Sequence, residues 1–341
     1  MAATSVIVSG ATGFIAQHVV LQLVTKGYKV VGTVRSTEKG EDLKKKLKSD
    51  NFTYEIVKDI GAKGAFDETL KAHPEVTVFL HTASPHHFDI TDPETELLFP
   101  AVEGTKNALS AIATYGPQIT KLVVTSSYVA MAHYDVDTIA SNIYNEDSWN
   151  DITWEKSKGN ALDGYWGSKT FAEKAAWDFV KEKKPNFTLS TVNPGYVFGP
   201  QAFASDATGT LNLSAETVSS TLKLKPDDEV SSQALAFVDV RDVADAHLVA
   251  FENKDAEGQR LLLYSERYSG QDLLDIINEN FSKYVKGRIP TGIPGSGAEK
   301  IKTLATIDNS KTRKIIGHDF ITLKKSVIDS VQQILDTNGS I

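Results

Sequence analysis

The chain has 341 residues, 41% of them hydrophobic and 23% charged, with a net charge of -8 and no cysteine. At roughly 100–200 residues per domain, that length suits about two domains, or one large α/β unit with a cap. The composition excludes a disulfide framework, a cysteine zinc site and a thiol nucleophile, and the acidic balance argues against a general affinity for nucleic acid or anionic membrane. No apolar run approaches the roughly 18–20 residues of a membrane span.

The run Ser5-Val6-Ile7-Val8-Ser9 leads straight into Gly10 and leaves no room for a signal peptide. The expectation is therefore a cytoplasmic protein. From here short β-branched runs alternate with amphipathic stretches. Strands are predicted at Val6–Val8, Lys29–Val34, Thr53–Val57, Thr77–His81, Lys121–Thr125 and Thr188–Val192. Helices are predicted near Gly13–Thr25, Glu38–Lys48, Thr95–Tyr115 and Tyr165–Glu182. Strands alternating with helices imply an α/β fold: a doubly wound parallel sheet covered on both faces. After Pro194 the pattern loosens into a loop-rich stretch, 196–236, with two short segments near Leu211–Ser220 and Leu222–Leu224. A strand at Leu235–Val238, a helix at Asp242–Glu252 and a strand at Arg260–Tyr264 read as a return to the sheet. The tail carries helices at Gln271–Phe281 and Leu323–Leu335 around a Gly/Pro-rich bend at Pro290–Gly297. The expected division is 1–194 with 237–264 as a nucleotide-binding domain, and 195–236 with 265–341 as a substrate-binding cap.

Ser9-Gly10-Ala11-Thr12-Gly13-Phe14-Ile15-Ala16 joins the first strand to the first helix. Glycines at such a turn let backbone N–H groups approach a pyrophosphate, and the helix N-terminus adds partial positive charge. Gly10, Thr12, Gly13, Phe14 and Ile15 are therefore candidate cofactor contacts. An acidic residue at the end of the second strand would bind the adenosine ribose of NAD. Here Gly32-Thr33-Val34-Arg35-Ser36-Thr37 offers an arginine, with Lys39 close behind. A guanidinium forks onto a phosphate where a carboxylate would repel it, so Arg35 and Lys39 favour NADPH/NADP. Asp59, after the third strand, either accepts from the adenine amino group or ends the strand, and Ile60 follows it.

Tyr165 and Lys169 stand one above the other on a helix face. The spacing means little alone: Tyr54 and Lys58 share it on a strand, where four residues span about 13 Å. Its company matters more. Ser126-Ser127 ends the fifth strand, His81-Thr82-Ala83-Ser84-Pro85 the fourth, and Asn193-Pro194-Gly195-Tyr196-Val197 the sixth. Open parallel sheets build their ligand crevice at this edge.

These segments, with Phe237–His247, resemble in this order the extended short-chain dehydrogenase/reductases over nearly the full length. Within that family the likeness runs to the methylglyoxal-reductase and dihydroflavonol-reductase branch. The resemblance implies a Rossmann-type domain and NADPH-dependent reduction of aldehydes and ketones to alcohols. Tyr165 would give a proton to the carbonyl oxygen, Ser127 would hydrogen-bond that oxygen, and Lys169 would hold the nicotinamide ribose and lower the tyrosine pKa. Thr82, Ala83, Ser84, Pro194 and Val197 would line the cofactor. His86, Tyr128, Met131, Trp166, Tyr196 and Phe203 are pocket candidates, the aromatic ones and Met131 equally readable as core. No metal is expected, since His86-His87 has no third ligand at metal spacing. The expected partner is a small-molecule carbonyl, and the helices at 95–115 and 165–182 could pair in a homodimer. Two alternatives stand beside this reading. An NAD-dependent nucleotide-sugar epimerase or dehydratase would want an acidic residue where Arg35 stands. A non-catalytic NADP sensor would have no use for the complete Ser127, Tyr165 and Lys169 set.

Overall fold

The computed structural model describes residues 4–84, 90–209 and 211–339. Seven strands, β1 (Ser5–Ser9), β2 (Lys29–Val34), β3 (Phe52–Ile56), β4 (Val76–His81), β5 (Lys121–Thr125), β6 (Thr188–Pro194) and β7 (Arg260–Leu263), form one sheet in the order β7-β6-β5-β4-β1-β2-β3. Every neighbouring pair is parallel. The strand order reverses between β1 and β4, which is the switch point where doubly wound sheets open a crevice.

The strand sequences show why both faces must be covered. Val6, Ile7 and Val8 have no exposed surface. Val6 and Val8 face helices α1 (Phe14–Thr25) and α5 (Val240–Glu252), meeting Val19, Val20, Leu23, Val243 and Ala246. Ile7 faces the other way, toward Leu109 and Ile112 of α3 (Phe99–Tyr115) and Ala176 of α4 (Ala161–Lys183). Side chains alternate along a strand, so one strand feeds two cores, and each large residue buried contributes about 1.5–3 kcal/mol.

A second sheet lies beyond the first. Tyr196–Phe198 runs parallel to Ala234–Asp239, which is antiparallel to Glu266–Ser269. The sequence reading returned Leu235–Val238 to the main sheet; the structure makes this strand the middle of the second one. Its alternation explains the error. Val197 and Val238 point into the main core while Phe198 and Phe237 point into the cap core with Tyr268, Leu274 and Val327. A short apolar run buried on both faces looks the same in either sheet. A pairing of Ile143–Tyr144 with Thr306–Ile307 ties the loop after β5 to the tail.

Helix α4 begins earlier than its apolar periodicity suggested. The side chain of Asn160 accepts from the Asp163 N–H at 2.9 Å and starts the helix at Ala161, a standard N-cap. Tyr165 therefore sits in the second turn, fully helical, rather than at a frayed end. Among the described residues no helix is long and apolar enough to cross a membrane.

Candidate active site

The glycine loop is pinned on two flanks. The Gly10 N–H donates to Thr33 Oγ1 at 3.1 Å and the Ala11 N–H to the Thr33 carbonyl at 2.9 Å. On the other flank the Thr82 hydroxyl donates to the Ser9 carbonyl, and the Ala83 N–H donates to Ser9 Oγ at 3.0 Å. Gly10 has φ +64°, and a Cβ there would lie 3.0 Å from that of Ala83. The segments of Gly10 to Ile15 and Thr82 to Ser84 are thus brought together as expected.

Gly13 differs in kind. Its φ is -73°, and a Cβ would meet nothing nearer than the Gly10 carbonyl at 3.4 Å. The fold itself does not require glycine there, and the residue is exposed. No side chain caps the start of α1, so the first-turn N–H groups, with the positive end of the helix dipole, face outward beside a missing Cβ. That cradle fits a pyrophosphate approaching the backbone. Gly13→Ala should therefore keep its melting temperature while its NADPH affinity falls about tenfold or more, the effect of the ~1–3 kcal/mol that overpacking costs. Titration of NADPH fluorescence beside a melting curve checks both halves.

The far end of the cradle carries no acid at the end of β2. Arg35 is exposed directly after that strand, and Ser36 accepts from the Lys39 N–H at 3.4 Å to cap the next helix, Thr37–Leu47. Lys39 lines a cavity of about 290 Å³ with Thr12, Phe14 and, from the cap side, Gln201. Lys46 bridges the same cavity to Asp206 at 2.5 Å. Asp59 is exposed and accepts from the Gly61 N–H at 2.8 Å, while the Ile60 carbonyl accepts from Asn107 at 3.0 Å. Asp59 thus lies in the turn three residues past β3, its Oδ1 taken by the Gly61 N–H.

The chemistry-bearing groups gather at the ends of β4, β5 and β6. The two serines, which sequence geometry alone does not separate, have different partners. Ser126 Oγ donates to the buried carboxylate of Glu173, whereas Ser127 Oγ hydrogen-bonds the Tyr165 phenol and lies 3.5 Å from the Pro194 carbonyl. Burial pushes that phenol up to about 12, against the downward pull of the Ser127 hydrogen bond and with a small upward contribution from the Tyr196 phenol. The depressed tyrosine expected from sequence is thus not a property of these residues alone, because desolvation of the phenolate outweighs the one hydrogen bond. Burial lowers Lys169 to about 8. His81, at the end of β4, is held down to about 4 by burial and then by the Lys169 charge. It is neutral at pH 7, with Nδ1 3.0 Å from Ser9 Oγ.

The pocket candidates divide. Tyr196 faces the site: its phenol acts on Tyr165 and its hydroxyl lies 3.3 Å from Thr217. Phe203 is half-buried against the core beside α1. Met131 has no exposed surface and fills a small core with Tyr128, Ala236 and Leu262, in keeping with the core reading of the two left open for it. Tyr128 is nearly as buried and donates to Asp137 Oδ1 at 2.8 Å, which also takes a bidentate pair from Arg267. Trp166 is buried edge-on against His133, ring centroids 5.3 Å apart. Val197 is buried in the second sheet. His86 lies outside the described residues. Among the described residues no group of three His, Asp or Glu side chains could hold a metal ion.

Sequence reading passed over Glu173. It stands one turn past Lys169 on the Tyr165 face, and a glutamate on the inward face of a helix must find partners. That spacing was the available signal.

The profile described as the NAD dependent epimerase/dehydratase family matches residues 6–263. The chain belongs to the NAD dependent epimerase/dehydratase family. Within this epimerase/dehydratase family, the chain is 46% identical over 342 residues to the NADPH-dependent methylglyoxal reductase GRE2 of Saccharomyces cerevisiae, covering 99% of this chain and 100% of the relative. It is 36% identical to the ketoreductase azaE of Aspergillus niger, with 98% of each chain covered. A crystal structure of Gre2 from Candida albicans in complex with NADPH superposes with a TM-score of 0.95 at 52% identity, over 98% of this chain and 99% of that one.

Proposed function

We propose that this protein is an NADPH-dependent reductase of aldehydes and ketones, yielding alcohols by hydride transfer with Tyr165 as the proton donor. The single observation that carries the reading is the Ser127–Tyr165 hydrogen bond, one helical turn from a buried Lys169 and beside a glycine cradle that ends in Arg35. The full-length likeness to reductases named for NADPH supports it. The epimerase alternative lacks an acid at the end of β2, and residues 196–236 hold only two lysines, Lys223 and Lys225, for a sugar diphosphate.

When bound, NADPH supplies the hydride. The protein does the rest by positioning and proton transfer. Gly10, Thr12, Gly13, Phe14 and Ile15 would hold the pyrophosphate, Arg35 and Lys39 the 2′-phosphate, and Thr82, Ala83, Ser84, Pro194 and Val197 the nicotinamide side. Asp59 and Ile60 would border the adenine. Ser127 Oγ would donate to the substrate oxygen. Tyr165 would transfer its phenolic proton to the same oxygen, and a phenol near 12 is fully protonated at pH 7. Positioned acid catalysis of this kind is worth about 10²–10⁴-fold. Lys169 would hold the ribose hydroxyls as an ammonium.

We further propose that residues 1–194 with 237–264 form the NADP-binding domain and that 195–236 with 265–341 form the cap. A homodimer seam across α3 and α4 is the expected assembly, with a cytoplasmic location.

The test is direct. Purified protein should consume NADPH when given an aldehyde, ketone or diketone, and leave nucleotide sugars unchanged. Conversion of a nucleotide sugar without carbonyl reduction would overturn the reading. The pH profile adds a second expectation. Lys169 is lowered to about 8, so its ammonium is lost as pH rises through that value, and kcat/KM for NADPH should fall with it. Lys169→Met should abolish that limb. A limb only above about pH 10, the ordinary lysine range, would show that burial does not lower Lys169, and a limb near pH 8 that persists in Lys169→Met would show that another group titrates there.

A further inference from the structure

Behind the site lies a buried anion that the mechanism does not use. Glu173 is 1% exposed. Its carboxylate accepts from Arg260 Nε at 2.6 Å, Asn193 Nδ2 at 2.7 Å, Trp177 Nε1 at 3.2 Å and the Ser126 hydroxyl. The Thr191 hydroxyl sits 3.2 Å away and donates to Asn193 Oδ1 at 2.7 Å. Arg260 completes the cluster by stacking on Trp149 at 3.9 Å and donating to the Glu146 carbonyl at 2.9 Å.

A buried ion pair of this kind is seldom needed for stability, since packed apolar residues of the same volume often serve the fold as well or better. What it supplies is orientation. The ion-pair partner is Arg260 rather than Lys169, although Glu173 and Lys169 line one small cavity of about 10 Å³. The route to the chemistry runs through Asn193. One amide group donates both to Glu173 and, at 3.2 Å, to the carbonyl of Ser127. Asn193 has no exposed surface, and Thr191 fixes its amide oxygen, so the amide cannot flip without breaking three hydrogen bonds.

We propose that Glu173 is a positioning residue for the reductase reaction: through Asn193 it holds the Ser127 backbone, and with it the hydroxyl that touches Tyr165, where turnover needs it. The inference rests on the reductase reading above. Glu173 is two helical turns, about 12 Å along the axis, from Tyr165, so its effect on the reaction is indirect.

The experiment is a double-mutant cycle on the full chain with NADPH and a carbonyl the wild type reduces. Asn193→Ala removes the link and keeps the Glu173–Arg260 pair. It should lower kcat between about 10- and 100-fold, the range that small displacements of catalytic groups produce, with the NADPH dissociation constant unchanged. In a Ser127→Ala background the same substitution should cost nothing further, because it acts through Ser127. Glu173→Gln should behave alike, and if that variant does not fold, Thr191→Val, which frees the Asn193 amide oxygen, takes its place in the cycle. Additive losses in the double variant, or wild-type kcat in Asn193→Ala, would overturn the proposal. Wild-type kcat in Ser127→Ala would instead overturn the assigned role of Ser127, which separates the two failures.

Discussion

Tyr165→Phe should lower carbonyl reduction by about 10²–10⁴-fold, the worth of a positioned acid, and leave NADPH binding nearly intact. The phenol hydrogen-bonds Ser127 at the site, and deleting its oxygen removes no group from the glycine cradle or from Lys169. The ring remains on α4, so the melting temperature should hold. Losing the hydroxyl also relieves a buried polar group rather than creating one, although Ser127 forfeits a partner worth roughly 0.5–1.5 kcal/mol. Single-turnover measurement with pre-bound NADPH separates the chemical step from binding. Turnover near that of the wild type would remove Tyr165 from the mechanism.

Arg35→Asp should weaken NADPH by about 10- to 100-fold or more, since a hydrogen bond to a charged group contributes about 1.5–3 kcal/mol and the new carboxylate also repels the phosphate. NADH lacks that phosphate, and its affinity should change little. Because Arg35 is exposed, the difference should shrink as salt is raised, in keeping with a Debye length near 10 Å at about 0.1 M. Equal losses for the two cofactors would mean that Arg35 supports the strand end instead. Lys39, which lines the cavity beside Thr12 and Phe14, is the natural second substitution.

These expectations draw unequally on sequence and structure. The glycine loop, Arg35 and the Tyr165–Lys169 pair were legible because each is a local pattern: a strand, a turn and a helix start within a few residues, or one turn of helix. The two serines were told apart only by the family resemblance. Ser126 and Ser127 are neighbours of the same type, and the structure commits the first to Glu173, 47 residues on. Met131 was open in a similar way, since an apolar side chain after a strand end suits a pocket wall or a core; it packs with Tyr128, Ala236 and Leu262. Leu235–Val238 read correctly as a strand and was assigned to the wrong sheet, because pairing partners far apart in the chain leave no trace in local periodicity.

From sequence alone came an α/β protein with seven strand runs in the right places for the main sheet and the preference for NADPH over NADH, while the triad was read from the family resemblance. Periodicity and local motifs carry the first two because they are set by neighbours in the chain. The tertiary structure alone decided that Ser126 donates to Glu173, that Val197 and Val238 bind the second sheet to the first, and that burial holds the phenol near 12 and Lys169 near 8. Those outcomes depend on desolvation and on contacts between residues tens to hundreds of positions apart. Both arise only when the strands and helices close around the site.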